Sequence, residues 1–307
     1  TNIGLGTDAL FEDAGTSSNI AIGAAALNST TDDAQKNVAI GENTLTALTT
    51  ADNNIAIGYG AGDVLTTTSD IVAIGFGAGG GINSADADGT VAIGSQAGAA
   101  ITSGQQNTFM GYKAGYENAI GDYNVAIGYE AMDDTLASLQ NDKNIAIGAA
   151  AMGGTWLTAA STDNVAIGYR SMYGAMNAAL KNIAIGSSSL ANLVSGDSNI
   201  AIGYQALDEL TNSSDNIAIG TGALNACDAG EGGNVAIGYG SGGAIDHANS
   251  DNNVILGFNA GIGGAAAMIG CVAIGKGAMT STAANAQTGT VAIGQDALTA
   301  LTTGSGN

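Results

Sequence analysis

The chain contains no proline, a single histidine, two cysteines and six basic residues against 27 acidic ones. Proline cannot donate a backbone hydrogen bond to a strand ladder, so its absence suits a chain that is hydrogen-bonded along its whole length. Because His247 stands alone and no cysteine cluster accompanies it, the ordinary zinc sites are excluded. No apolar run approaches membrane-spanning length, so we expect no membrane insertion.

The shortage of basic residues also bears on partners. The formal net charge is −21 and the six bases are scattered, so the surface repels phosphate backbones and we expect no nucleic-acid partner. The simplest interpretation of the acids is a solubilising surface. Calcium on acidic turns is the alternative, although the spaced calcium-loop signatures are missing. We otherwise expect no cofactor.

Glycine is abundant, with 49 residues, and the pentapeptide Asn-Ile-Ala-Ile-Gly at 19–23 returns along the whole chain. A fixed period of this size indicates a solenoid, in which each repeat forms one coil. The pentapeptide glycine occurs in seventeen copies, 17 to 20 residues apart, at positions 6, 23, 41, 58, 75, 94, 111, 128, 148, 168, 186, 203, 220, 238, 257, 275 and 294.

Within each copy the three residues before the glycine are large, small and large. Val or Ile opens this triplet in sixteen copies and Ala is central in fourteen, so the β-branched pair faces one side of a short strand and Ala the other. We therefore predict an all-β protein, a parallel β-solenoid (β-roll or β-helix) of about 17 coils of 17–20 residues. It would form a single repeat domain over residues 1–307, with no linker or second domain.

A second apolar position follows the glycine by seven residues in about half of the copies. It predicts a second short strand on the opposite wall, whose large side chains would meet the Val/Ile pair in a thin core. The residues at this position are Leu48, Leu65, Ile82, Ile101, Leu193, Leu210, Ile245 and Leu301.

Asparagine opens the pentapeptide in thirteen copies. Stacked one coil above the next, these side chains would form an amide ladder in which donors and acceptors satisfy each other; ligand binding by the same amides is the alternative. The glycine suits a turn with positive φ or a close backbone approach. The ladder residues are Asn19, Asn37, Asn54, Asn124 and Asn144, with Ile22, Ile40, Ile57, Gly23, Gly41 and Gly58.

The central alanines form a column of methyl groups. Exposed to water, this column would be a continuous apolar patch, which soluble monomers rarely show. We therefore expect it to be buried, either inside the coil or against an identical chain. The predicted assembly face comprises Ala21, Ala39, Ala56, Ala73 and Ala126.

Tyr or Phe follows the pentapeptide glycine directly in eight copies. The structural interpretation is an aromatic stripe that covers one corner of the solenoid. The functional alternative is a glycan-binding stripe of Tyr59, Tyr112, Tyr129, Tyr169, Tyr204 and Tyr239.

No catalytic constellation stands out, and we expect no enzyme activity. The glycine-rich segments 58–62 and 75–79 look like phosphate-binding loops, but they recur with the solenoid period and no partner acid follows. Carboxylates on adjacent coils could approach as in glycosidases, which keeps that alternative open. Cys227 and Cys271 lie about three repeats apart, roughly 14 Å at strand spacing, too far for a disulfide.

The Asn-x-Ala-Ile-Gly unit followed by small residues resembles the head repeats of trimeric autotransporter adhesins, the YadA-like head, and is similar to repeats of phage and viral tail fibres. The resemblance covers essentially the whole chain. It implies a left-handed parallel β-roll, association of three chains, and attachment outside the cell. Val38, Ala39, Ile40 and Gly41, with their equivalents, would be the strand that builds roll and trimer.

These observations together predict a structural, non-catalytic, fibre-forming protein at a cell surface or a virion surface, with itself as partner. We expect a trimer or a head-to-tail polymer, because the spacing from Gly294 across the chain ends to Gly6 of a following copy would be 19 residues, within the repeat spacing. The alternative is a tail fibre that binds a host-surface glycan. An ice-binding solenoid is not favoured, because the threonines do not fall in one column.

Overall fold

The structure, a computed structural model, describes residues 2–11, 18–30, 33–243, 245, 249–263, 267–281 and 286–300. His247 and Leu301 therefore lie outside the described residues. The chain divides into two compact units, Thr1–Ala160 and Ser161–Asn307.

The described part of the first unit contains nine strands of three residues, each parallel to and in register with the next, so that Ala39 pairs with Ala56 and Ala56 with Ala73. One 3-10 helix, Ala85–Ala87, lies in the coil after β5. The strands are β1 Ile3–Leu5, β2 Ile20–Ile22, β3 Val38–Ile40, β4 Ile55–Ile57, β5 Val72–Ile74, β6 Val91–Ile93, β7 Thr108–Met110, β8 Val125–Ile127 and β9 Ile145–Ile147.

The second unit repeats this arrangement. Among its described residues, eight three-residue strands form one parallel ladder and two shorter strands, β16 and β18, pair separately. Its strands are β10 Val165–Ile167, β11 Ile183–Ile185, β12 Ile200–Ile202, β13 Ile217–Ile219, β14 Val235–Ile237, β15 Val254–Leu256, β16 Met268–Ile269, β17 Val272–Ile274, β18 Gln287–Thr288 and β19 Val291–Ile293. The predicted fold class, a parallel β-solenoid with one coil per pentapeptide, is confirmed.

The alanine side of each strand points into the coil. Ala39, Ala56 and Ala73 are fully buried within the single chain, whereas the Val and Ile residues on either side of them face outwards and are partly exposed. Of the two burial modes expected for the alanine column, the first therefore holds. The column Ala21, Ala39, Ala56, Ala73 and Ala126 has no surface left for another chain, which corrects its assignment as an assembly face.

The apolar residues seven positions after the glycine are buried, but they do not form the expected second strand. Leu48, Leu65 and Leu193 lie directly after the turn, outside any strand, and pack inside the coil. They meet the alanine side of the strand, because the Val/Ile pair faces away from them. The predicted thin core between the Val/Ile pair and a second strand is therefore wrong: the interior is built mainly from alanine, leucine, isoleucine, methionine and small residues.

Left-handed backbone replaces the second strand. The residues two and four positions after the glycine, and the residue before the ladder asparagine, have positive φ in coil after coil, as at Asn43, Leu45 and Asn53. β-branched residues are strongly disfavoured at positive φ. This explains why Leu, Met or Gly always occupies the buried fourth position: it needs an apolar side chain without β-branching, or none.

At the strands that another coil of the ladder follows, the closing glycine has a steric reason. At Gly203 φ is +138°, and a Cβ there would lie 2.5 Å from the backbone carbonyl oxygen of Gly220 in the next coil. Gly41 shows the same arrangement, with 2.7 Å to the Gly58 oxygen. The close stacking of successive coils at this corner therefore requires glycine.

The two bulky residues that replace the central alanine are accommodated by glycines inside the coil. A Cβ on Gly115 would lie 2.6 Å from the Phe109 ring, and one on Gly98 would lie 3.0 Å from it. Ile255 is accommodated in the same way, since a Cβ on Gly261 would lie 2.8 Å from it. Trp156 is likewise buried, and its indole N–H donates to the Met152 carbonyl at 3.2 Å.

Candidate functional surfaces

The pentapeptide asparagines form a buried ladder inside each unit. The backbone N–H of Asn37 donates to Asn19 Oδ1 at 2.9 Å, and Asn54 bonds to Asn37 in the same way. The Asn37 amide nitrogen donates to the Ala51 carbonyl at 2.8 Å and lies 3.3 Å from Asn19 Oδ1. Each asparagine thus ties its coil to a neighbour and also closes its own coil.

The same contacts recur at the other predicted ladder residues. Asn124 Oδ1 accepts the N–H of Asn144 at 2.9 Å, and the Asn124 amide donates to the Asn141 carbonyl at 2.7 Å. All these side chains are fully buried. Their buried hydrogen-bonding groups are taken up by the chain itself, which favours a structural role over ligand binding.

A second ladder of Asp and Ser side chains runs beside the asparagines. Asp52 Oδ1 accepts the N–H of Gln35 at 2.7 Å, and Ser69 Oγ accepts the N–H of Asp52 at 3.1 Å. In the second unit, Asp197 accepts from Leu180 at 2.8 Å. These acids were predicted to be a solubilising surface, with calcium binding on acidic turns as the alternative, and their hydrogen bonds between coils were not predicted. The signal for them was present, since Asp or Ser recurs two residues before the pentapeptide asparagine.

The outward faces of the strands form an aliphatic surface in each unit. We call this surface the aliphatic face; in the first unit its exposed members include Ile22, Ile55 and Met110, and in the second Ile185, Ile237 and Val254. Ile40 and Ile57, two of the predicted strand residues, also lie on it and are partly exposed. Charged residues are absent from the described strands, so the face is uncharged.

The residues that directly follow the pentapeptide glycine form an exposed column in each unit, which we call the aromatic column. Tyr112 and Tyr129 stack with their ring centroids 5.3 Å apart, and Tyr59 stacks on Phe76 at 5.7 Å. In the second unit Tyr239 stacks on Phe258 at 5.2 Å. The other residues of the predicted glycan stripe, Tyr169 and Tyr204, are exposed as well.

Two of the six bases lie against this column. The Lys113 ammonium is 5.7 Å from the Tyr112 ring centroid and 5.0 Å from that of Tyr116. The Arg170 guanidinium lies 5.9 Å from the Tyr169 centroid and 4.3 Å from that of Tyr173. Cation–π attraction holds both cations at the aromatic corner.

Carboxylates of neighbouring coils influence one another in the first unit. Partial burial, reinforced by the charge of Glu130, raises the pKa of Asp133 to about 6. Partial burial also raises the pKa of Glu117, and the charge of Asp134 adds to this effect. These groups share a negatively charged patch, with Lys113 as a partial counter-charge.

Neither cysteine forms a disulfide, and both are buried. The Cys227 sulfur lies 3.9 Å from Glu231 Oε2. Burial, followed by the charges of Glu231 and Asp228, strongly raises the pKa of the Cys227 thiol. Because thiolate is the reactive form, Cys227 is unsuited to nucleophilic chemistry at neutral pH.

Within the described ranges, no group of three or more His, Cys, Asp or Glu side chains is arranged to hold a metal ion. The same part of the chain has no helix with the length and apolar character needed to cross a membrane.

The chain matches no protein-family model, no curated protein and no solved structure. The resemblance to adhesin and tail-fibre repeats rests on the repeat motif alone.

Proposed function

We propose that this chain is a structural, non-catalytic repeat protein that associates with copies of itself to form a fibre and serves attachment outside the cell, at a cell or virion surface. The observation that carries the proposal is the aliphatic face, an uncharged stack of outward Val and Ile residues. The location follows from the resemblance of the repeat.

The size of the aliphatic face supports a role in association. Three residues by nine strands cover roughly 10 by 40 Å in the first unit, or about 400 Å². An apolar patch of this size equals the largest patch of a typical soluble monomer, and such patches are often functional. At ~25 cal/mol per Å² the gross gain from burying this face is about 10 kcal/mol, before the costs of association.

The charge distribution also favours association through the aliphatic face. The net charge of −21 repels a second copy from most directions. Two copies approach with the least repulsion where their contacting surfaces carry no charge, and the strand faces meet this condition. Association should therefore strengthen as salt screens the remaining charges, which is opposite to the behaviour of an interface built on ion pairs.

The test is the mass of the protein in solution, measured by sedimentation velocity at increasing protein and salt concentrations. We expect assembly of the wild-type chain and its disruption by Ile55→Lys, which places a charge in the aliphatic face. Val64→Lys is the matched control, because Val64 and Ile55 are both 39 % exposed and Val64 lies in a turn.

A discrete trimer and a head-to-tail polymer are distinguished by the same measurement, since only the polymer keeps growing with concentration. Negative-stain microscopy of the fractions would show the two forms directly. A wild-type chain that stays monomeric at all concentrations, or equal effects of both lysine variants, would contradict the proposal.

A further inference from the structure

The aromatic column is interrupted in a regular way. In the second unit it runs Tyr169, Ser187, Tyr204, Thr221, Tyr239, so that rings and small hydroxyl residues alternate. Backbone hydrogen bonds fix the stacking of these positions: Gln205 N–H donates to the Ser187 carbonyl at 3.1 Å, and Gly222 N–H donates to the Tyr204 carbonyl at 2.9 Å.

The alternation leaves gaps between rings. Successive coils are about 4.8 Å apart, so Tyr169 and Tyr204 are separated by about 10 Å with only the Ser187 side chain between them. Tyr204 and Tyr239 flank Thr221 in the same way. Tyr204 is 53 % exposed and stacks on no other ring in the described part of the chain.

The first unit has one gap of the same kind. Ser95 lies between Phe76 and Tyr112, and the N–H groups of Gln96 and Lys113 donate to the carbonyls of Phe76 and Ser95 at 2.8 and 3.0 Å. Phe76 and Tyr112 each stack on a ring on their other side, and the Lys113 ammonium lies 5.7 Å from the Tyr112 centroid. Phe76 therefore offers one ring face to the gap, and Tyr112 offers a face next to a cation.

The width of these gaps suits a six-membered ring. A ring inserted at the level of Ser187 would lie about 5 Å from each wall. The aromatic pairs of this protein stack at similar centroid separations, 5.2 to 5.7 Å. The gap therefore reproduces, on both sides of the inserted ring, a stacking distance that the column already uses.

The chemistry around the gaps is polar. Ser187 and Thr221 supply hydroxyl groups at the base, and Gln205 and Arg170 lie beside the walls at the next position along the chain. A pyranose has an apolar C–H face that can pack on an aromatic ring and hydroxyl groups that can bond to such a rim, whereas a plain aromatic ring uses only the walls. The net charge of −21 disfavours an anionic glycan.

We propose that the gaps at Ser95, Ser187 and Thr221 are binding slots for the pyranose rings of a neutral glycan, each ring held between two aromatic side chains. The two slots of the second unit share Tyr204, so one oligosaccharide can occupy both and gain by avidity. This inference concerns a different surface from the aliphatic face and does not rest on self-association.

The test is titration calorimetry of the full chain with cellohexaose, chitohexaose and maltohexaose, and with indole as a flat-ring probe. The decisive variant is Ser187→Tyr/Thr221→Tyr, which fills both slots of the second unit. Adjacent rings such as Tyr239 and Phe258 already stack in this column, so the filled column is compatible with the fold. Circular dichroism measures whether the filled variant keeps the fold of the wild-type chain.

We expect at least one hexasaccharide to bind and the filled variant to bind it roughly tenfold more weakly, a loss consistent with one or two stacking contacts. Tyr204→Ala, which removes a wall from both slots, should give a similar loss. Ala24→Tyr adds an exposed ring without closing a slot and should leave binding unchanged.

Three results would overturn the assignment: no binding of any hexasaccharide, binding of indole alone, or equal affinities of the wild-type and filled chains. The self-association of the filled variant, measured by sedimentation velocity, should be the same as that of the wild-type chain. A loss of glycan binding can therefore be distinguished from a loss of fibre formation.

Discussion

The two units contain runs of coils that build the same strand ladder around different interiors. In the first unit four successive coils carry glycine at the buried fourth position after the pentapeptide glycine, namely Gly62, Gly79, Gly98 and Gly115. In the second unit four successive coils carry a large residue there, namely Met172, Leu190, Leu207 and Leu224. The strands and their register are nevertheless the same, so the interior is set by total volume and not by one residue type.

The asparagine ladders differ as well. In the second unit the ladder is continuous from Asn164 to Asn253, and the N–H of Cys271 bonds to the last amide at 2.9 Å. In the first unit Ile71 and Thr90 interrupt it. Interruptions are tolerated because a coil retains its other hydrogen bonds to its neighbours.

The largest effect expected from this comparison concerns Phe109. Phe109→Ala should cost about 3–5 kcal/mol of unfolding free energy, because it leaves a cavity between two glycines. Gly115→Leu alone should cost about 3 kcal/mol, since its Cβ would already collide with the Phe109 ring. The double variant has the alanine and leucine pattern of the second unit and should be more stable than the sum of the single losses predicts. Denaturant unfolding of all four proteins measures this coupling.

Strict additivity of the two losses would show that Phe109 and Gly115 do not share one space. Leu is compatible with the backbone at position 115, because Leu45 and Leu207 have positive φ at the equivalent position. The clash therefore arises from side-chain volume and not from backbone strain.

The ladder asparagines should show the next largest difference. Asn199→Ala removes the acceptor for the Asn216 N–H and the donor to the Ser213 carbonyl, and we expect a loss of about 2–4 kcal/mol. Asn54→Ala, beneath the interruption at Ile71, should cost less. Asn199 also makes amide contacts of 3.1 and 3.3 Å with both neighbouring asparagines. Ile71, which follows Asn54 in the ladder, donates its backbone N–H to Asn54 but has no side-chain amide. Denaturant midpoints measure the difference, and equal losses would show that the side-chain contacts add nothing.

The pentapeptide predicts much of this fold. A large-small-large triplet bounded by Asn and Gly indicates a strand, and its period indicates the stack; both are local signals. Which side of the strand faces inwards was predicted wrongly, since the Val/Ile pair was expected to line the core; the alanine column alone suits either a narrow interior or a close contact between chains. Burial of Ala39 and exposure of Ile55 decide this, and they move the candidate association surface to the other side of the strand.

The second wall was predicted wrongly for a different reason. An apolar residue seven positions after the glycine fits a strand in sequence, but the positive φ values at residues such as Asn43 and Leu45 break any extended run there. The sequence did contain a signal, since the fourth position holds Leu, Met or Gly and never Val or Ile. The alternation of aromatic and small residues after the pentapeptide glycine is also visible in the sequence. It indicates gaps between rings only once the coils are known to stack in register.

The acidic patch of the first unit predicts a modest pH effect. The pKa of Asp133 is about 6 in the folded chain against an ordinary value of 3.8. The folded state therefore holds this proton more tightly than the unfolded state, so the contribution to stability is complete below about pH 4 and is lost as the pH rises through about 6. We expect a higher melting temperature at about pH 5 than at about pH 7, and Asp133→Asn should reduce the difference.

The second unit offers a control for this pH effect. Partial burial also raises the pKa of Asp208, but a hydrogen bond from Gln205 opposes the shift. Asp208→Asn should therefore change the pH dependence less than Asp133→Asn. The assignment to Asp133 would be wrong if the two variants altered the melting profile equally.

The smallest expected effect is a gain. Thr90 is buried at an interruption of the first ladder, where its hydroxyl makes a long 3.5 Å bond to the Gly104 carbonyl. Thr90→Asn would donate to that carbonyl as the ladder amides do and would also accept the N–H of Asn107, so we expect about 1 kcal/mol of added stability. Thr90→Val lacks both functions and should show no gain. Equal melting temperatures of the two variants would contradict this prediction. They would show that a continuous asparagine ladder adds no stability, in the second unit as in the first.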